Sequence, residues 1–205
     1  MRALEALLLG VVLLVLVAVA LPAMGNPGKF ASAVKYLQTG QTNQTIQAAP
    51  AASGTSVVGG PSISADFIDR LLCKYGSPAC NTGGSLYSLG QQSNIDPAFA
   101  LAVFWNESGF GRSGMATETL SLGNLRCIDG AACMNGYAAF SSWQDGYAAF
   151  YRLVAGSYYA GAGLTTPETI LPKYAPVGDG NSPSHYISVV ENCMSMWRSG
   201  VVGVP

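Results

Sequence analysis

The sequence is poor in charge. Only 10% of its 205 residues are Asp, Glu, Lys or Arg, against roughly 25% in an ordinary soluble domain. Ten basic and eleven acidic residues leave a formal charge of −1, a near balance that argues against a nucleic-acid binder, which carries a basic face or stripe. Histidine is nearly missing. The lone His185, near Pro183 at the start of a C-terminal helix, reads as a surface or capping side chain. A serine triad would have to use it, and nothing else supports one. Neither a Gly-rich phosphate loop nor a G-x-S-x-G elbow occurs. The cysteines lack the C-x₂₋₄-C and His spacings of a zinc site, so no metal or cofactor is expected. Five cysteines are also too few for a disulfide mini-scaffold. Hydrophobic residues, by contrast, make up 49% of the chain, which excludes a chain disordered throughout.

That apolar content is unevenly placed. Ala6–Ala23 reads ALLLGVVLLVLVAVALPA, and no charge follows Glu5 until Lys29. As a helix the run spans about 27 Å, close to a bilayer's hydrocarbon core. Two readings of residues 1–25 fit: a retained transmembrane anchor, from the length, and a cleavable signal peptide, from the small-residue pattern Ala23-Met24-Gly25. Either sends the rest of the chain out of the cytoplasm if the N-terminus stays in. Residues 26–62 then read as a flexible polar linker, with TGQTNQTIQAAPAASGTSVVGGP from Thr39 to Pro61 carrying no charge and no periodicity. All aromatics except Phe30 and Tyr36 fall in residues 63–199, the expected folded domain, followed by a tail over 200–205.

Within that domain the periodicity is helical. Ser64 caps a helix to Tyr75, with Phe67, Ile68, Leu71, Leu72 and Tyr75 on one face. A short helix is expected from Ser85 to Gln92. Asp96-Pro97 is a cap followed by proline at the first helical position, and opens PAFALAVFWNE. From Glu118 to Phe140 the period is lost, which predicts loops and a small hairpin. Ser142-x-x-Asp145 opens a helix to Val154, Thr166-Pro167-Glu168 another, and Ser182-Pro183 the last, striped by Ile187, Val190, Cys193, Met194 and Trp197. The fold class expected is mainly α: one helical domain with a small irregular or β lobe.

Cys73 and Cys80 form one local pair, Cys127 and Cys133 another, and Cys193 is left over on the last helix. Such short loops close as disulfides in an oxidising compartment. Four cysteines can pair in three ways whichever is left out, so Cys73–Cys193 stays open as an alternative.

One carboxylate stands apart. Glu107 ends an otherwise apolar helix of Ala98, Phe99, Leu101, Ala102, Val103, Phe104 and Trp105. Desolvation there raises a carboxyl's pKa, as a general acid at neutral pH requires. A carboxylate at a helix C-terminus is unfavourable to the dipole, a mild hint of function. Trp105 and Phe110 are candidates for the walls of a sugar-binding cleft, since flat apolar rings match sugar faces.

The run from Ala100 through Glu107-Ser108-Gly109-Phe110 to Gly111 resembles the catalytic-helix motif of the lysozyme-like superfamily. Leu122-Gly123-Asn124-Leu125-Arg126 is similar to a segment of bacterial β-N-acetylglucosaminidases of glycoside hydrolase family 73. Tyr137-Ala138-Ala139-Phe140-Ser141-Ser142-Trp143-Gln144-Asp145-Gly146-Tyr147 and Lys173-Tyr174-Ala175-Pro176, followed by Tyr186, resemble later motifs of that family. Together they cover about Ser64–Trp197. The resemblance implies an α+β lysozyme-like fold and cleavage of β-1,4 bonds between N-acetylated sugars of peptidoglycan. Glu107 would be the general acid, and Tyr174 would hydrogen-bond the sugar at the reaction centre. Asn124, Tyr137 and Tyr186 are further substrate-binding candidates, and Asp145 caps a helix. The second catalytic group is not fixed by the resemblance. Glu118 and Asp129 are candidates, with Asp179 as an outsider, and the substrate's own acetamido group is another.

Lytic transglycosylases share the E-S-G-F start but continue with a G-L-M-Q segment that this chain lacks, so they rank second, beside muramidases. A non-catalytic wall-binding or virion protein is the alternative of another class. The expected partners are peptidoglycan strands and, through the N-terminal helix, a membrane. The expected location is the cell envelope outside the cytoplasm, anchored or secreted, or a membrane-containing virion.

Overall fold

The computed structural model describes residues 56–180 and 182–205. The transmembrane or signal segment expected over 1–25 and the linker as far as residue 55 lie outside the described residues, as does the side chain of Asp179. The described part is mainly helical, with seven α-helices and one two-stranded antiparallel sheet. None of these helices is long and apolar enough to cross a membrane.

Helix α1 (Ala65–Lys74) starts where Ser64 accepts the Phe67 N–H, and buries Phe67, Ile68, Leu71 and Leu72. Helix α2 (Gly83–Ser93) begins at Gly83 rather than Ser85. Its cap is non-local: Asp69 of α1 accepts the Gly83 N–H at 2.7 Å. Helix α3 (Pro97–Ser108) is capped by Asp96, whose side chain accepts the Ala98 N–H. Pro97 through Phe104 are all buried, so α3 runs through the core instead of along its edge. The four-residue α4 (Ala116–Thr119) was not expected, and too short a segment carries no period.

The irregular stretch holds the hairpin of β1 (Ala132–Met134) and β2 (Tyr137–Ala139), paired Ala132 to Ala139 and Met134 to Tyr137. Asn135 and Gly136 both take positive φ, 50° and 85°, the turn that suits a tight hairpin's twist. Arg126 bridges Tyr137 on the other side of β2. Helix α5 (Trp143–Ala155) starts at the expected Ser142 cap, with Asp145 accepting from the Ser141 and Ser142 hydroxyls. Those two bonds hold the Asp145 carboxyl below its ordinary range. Helix α6 (Pro167–Tyr174) opens with a Thr166/Thr169 capping box, and α7 is Pro183–Arg198.

Helix α3 packs against α7, α2 against both α1 and α5, and α6 against α7. The core centres on α3 and α5, where the Phe104 ring meets Phe150 edge-on at 4.8 Å and stacks on Tyr147 at 5.8 Å. Gly146 of α5 allows the closest approach, since a Cβ there would overlap the Leu120 carbonyl oxygen.

Packing extends beyond the expected domain ends. Val57 is buried and exchanges backbone bonds with Thr165 and Asp96. At the other end Lys74, Tyr75 and Trp197 hydrogen-bond the 202–204 backbone. Disulfides join Cys73 to Cys80 and Cys127 to Cys133, while Cys193 is a buried free thiol. The Cys73–Cys193 alternative is therefore not realised.

Candidate functional site

The C-terminal turn of α3 decides where Glu107 points. Gly109 ends the helix in the left-handed conformation, φ 55°. Ser108 is buried: its hydroxyl donates to the Leu122 carbonyl at 2.7 Å and accepts the Gly111 N–H at 2.8 Å. These bonds tie the helix end to the following loop and leave the half-buried Glu107 facing a cleft of about 390 Å³. Tyr137, Tyr159, Tyr174, Asn124 and Arg126 share that cleft.

Three elements converge on the carboxyl. From α7, the buried Tyr186 hydroxyl donates to Glu107 Oε1 at 2.7 Å. In the neutral acid this leaves Oε2 to carry the proton. From the loop after α4, Asn124 Nδ2 donates to the Glu107 backbone carbonyl at 2.9 Å. Asn124 holds a left-handed φ of 45°, and its Oδ1 is buried without a partner. From α6, the Tyr174 hydroxyl donates to the Gly123 carbonyl at 3.0 Å. Gly123 permits this close packing: a Cβ there would lie 3.2 Å from Phe104, and 3.3 Å from Phe150 and from the Tyr174 hydroxyl. Gly123→Ala is expected to crowd Phe104, Phe150 and the Tyr174 hydroxyl and to lower the melting temperature, checked by a melting curve.

Burial raises the Glu107 pKa above 4.5, and the Tyr186 hydrogen bond and the Arg126 charge pull it partly back. Burial, together with the Glu107 charge, pushes the Tyr174 and Tyr186 phenols far above their ordinary range. Tyr159 rises to about 12, mainly through burial. These phenols therefore stay protonated donors at neutral pH. Tyr186→Phe removes a bond that favours the carboxylate. Its expected result is a further rise in the Glu107 pKa, read by carboxyl ¹³C titration.

The expected residues divide into two groups. Glu107, Asn124, Tyr137 and Tyr174 line one cleft, and Tyr186 touches Glu107. Glu118 and Asp129 do not join them. Glu118 is exposed on α4, and Asp129 lines a separate depression near Asp145 and Arg152. Trp105 and Phe110 do not wall the cleft either. Phe110, at φ 61°, turns fully into the core, where it packs with Trp105, Tyr75 and Trp197. The exposed His185 takes no part in the cleft lining. Arg126 and Tyr159 were missed as site residues. Arg126 lies within the Leu122–Arg126 motif, whereas Tyr159 carries no local sequence signal.

Among the described residues no three His, Cys, Asp or Glu side chains gather in a way that could hold a metal. The arrangement can present a neutral carboxylic acid, with its protonated oxygen free, to a polar ligand held by tyrosines. Compared with known protein families the chain matches none, and it matches no curated protein.

Proposed function

We propose that this protein is a peptidoglycan hydrolase of lysozyme-like type, an endo-β-N-acetylglucosaminidase similar to glycoside hydrolase family 73. The observation that carries the reading is Glu107: a carboxyl at the end of the core helix, raised in pKa by burial and oriented by Tyr186, in a cleft of saccharide dimensions. The tyrosines that line the cleft, Tyr137, Tyr159 and Tyr174, support it, as do the four sequence motifs. The disulfides and the uncharged N-terminal run support a place at the cell envelope outside the cytoplasm, anchored or secreted, or in a membrane-containing virion.

Glu107 is the only carboxylate among the described residues that line the cleft. That favours the substrate's acetamido oxygen as nucleophile over Glu118 or Asp129. The acetamido oxygen bonds to the anomeric carbon while the glycosidic C–O bond breaks. The leaving oxygen takes the Glu107 proton. Water then attacks the same carbon, returns its proton to Glu107 and reopens the acetamido ring. Tyr174 and Asn124 hold the sugar while this happens.

The lone carboxylate also suits a lytic transglycosylase, in which the substrate's own hydroxyl replaces the water. Mass spectrometry of digested sacculi separates the two. New reducing ends are expected, whereas anhydro-sugar ends would assign the transglycosylase. Binding without any cleavage would leave only a wall-binding protein.

A further inference from the structure

Among the described residues Arg126 is the one cation in the cleft lining, and the proposed reaction does not use it. Its guanidinium lies over the Tyr137 ring, 4.8 Å from the centroid. Its backbone is stiffened from both sides. It bridges Tyr137, Ala138 N–H bonds to Leu125 O at 2.8 Å, Cys127 N–H bonds to Gly136 O at 3.2 Å, and the Cys127–Cys133 disulfide closes the next loop. The side chain is exposed, and among the described residues no carboxylate lies within ion-pairing distance of it. Stacking at an exposed site contributes little by itself, and a positive charge beside Glu107 works against a protonated acid. A held, unpaired fork beside the reacting group fits a planar anion on the ligand.

We propose that Arg126, braced on Tyr137, is the specificity-determining residue of the cleft and recognises a carboxylate carried by the glycan. This rests on the glycosidase reading. Peptidoglycan offers that chemistry from two sources, the lactyl carboxylate of a muramoyl sugar freed of its peptide and the carboxylates of an attached stem peptide. Chitin-type oligomers of N-acetylglucosamine offer none. The pairing also neutralises the charge that draws on Glu107, so an anionic substrate keeps the acid protonated to higher pH than a neutral one. The other groups that face the Glu107 carboxyl, Tyr186 of α7 and Tyr174 of α6, stay neutral across that range.

The test compares the full-length protein in detergent with Arg126→Gln and Arg126→Lys on three soluble substrates. These are chitin hexamer, glycan strands stripped of peptide, and glycan strands with intact stems. Wild type is expected to favour the carboxylate-bearing strands in kcat/KM. Arg126→Gln is expected to lower that preference by about ten- to hundredfold, and Lys to restore part of it. A preference lost on stripped strands assigns the lactyl group, and one lost only on intact strands assigns the stem. The alkaline limb of kcat is expected to lie higher for the charged strands than for the hexamer in wild type, and to coincide in Arg126→Gln. Equal loss on all three substrates, or an unchanged preference, overturns the inference and leaves the glycosidase reading standing. Wild type inert on all three overturns both.

Discussion

Glu107→Gln is expected to lower the rate of glycan cleavage by about 10²–10⁴-fold or beyond, the usual contribution of a positioned acid, while leaving the fold intact. The Gln amide oxygen can still accept the Tyr186 hydroxyl, so the cleft keeps its shape and sugar binding survives. Stability should move the other way. The folded-state pKa of Glu107 is raised, so between its unfolded value near 4.5 and that raised value the folded state binds more protons than the unfolded. Stability contributed at this site therefore falls as pH rises through the window, and the full penalty persists above it. Gln never ionises and escapes it. The variant should match wild type in melting below about pH 4 and be the more stable of the two at neutral pH. Undiminished release of sugar ends by the folded variant would remove Glu107 from the chemistry.

Asp96→Ala is expected to cost about 3–5 kcal/mol, the usual penalty for breaking a buried ion pair, read as a lower denaturant midpoint. For a chain of this size that is a fall of roughly 6–20 °C in Tm. Asp96 is 2% exposed and meets Arg198 of α7 at 2.7 Å. It also accepts the Ala98 N–H as the cap of α3 and both the N–H and hydroxyl of Ser62. Arg198 in turn reaches the Ser56 carbonyl at 2.7 Å. One side chain thus joins the segment around Ser62, the central helix and the last helix. Its removal takes the carboxylate away from the Arg198 guanidinium and uncaps the helix that carries Glu107. Asp96→Asn keeps an acceptor for the cap and for Ser62, so its loss should be smaller. A change under 1 kcal/mol for Ala would deny Asp96 this role.

The helix starts at Ser64, Asp96 and Ser142 were legible because each cap acts on its own chain within three residues. The start of α2 was not, since Asp69 caps Gly83 from another helix. The same distinction governs the site. Glu107 was legible as an acid stranded on an apolar helix. Tyr186 sits 79 residues away from it, and no local pattern fixes such a contact; the resemblance offers Tyr186 only as a substrate-binding candidate. Trp105 and Phe110 misled because they flank Glu107 in sequence, while the left-handed residues Gly109 and Phe110 reverse the chain and turn the Phe110 ring inward. Glu118 and Asp129 lie where periodicity is lost, so nothing in their surroundings told which way they face. The packed ends at Val57 and Val202–Val204 were read as linker and tail because their partners are equally remote.

The most direct test is to titrate the Glu107 carboxyl by ¹³C resonance in the folded protein and to set it beside the pH dependence of kcat/KM on isolated sacculi. The account predicts that Glu107 loses its proton above 4.5, that cleavage declines along the same curve, and that Glu107→Gln abolishes both signals. A carboxyl titrating at or below 4.5, or cleavage that ignores its titration, would contradict it.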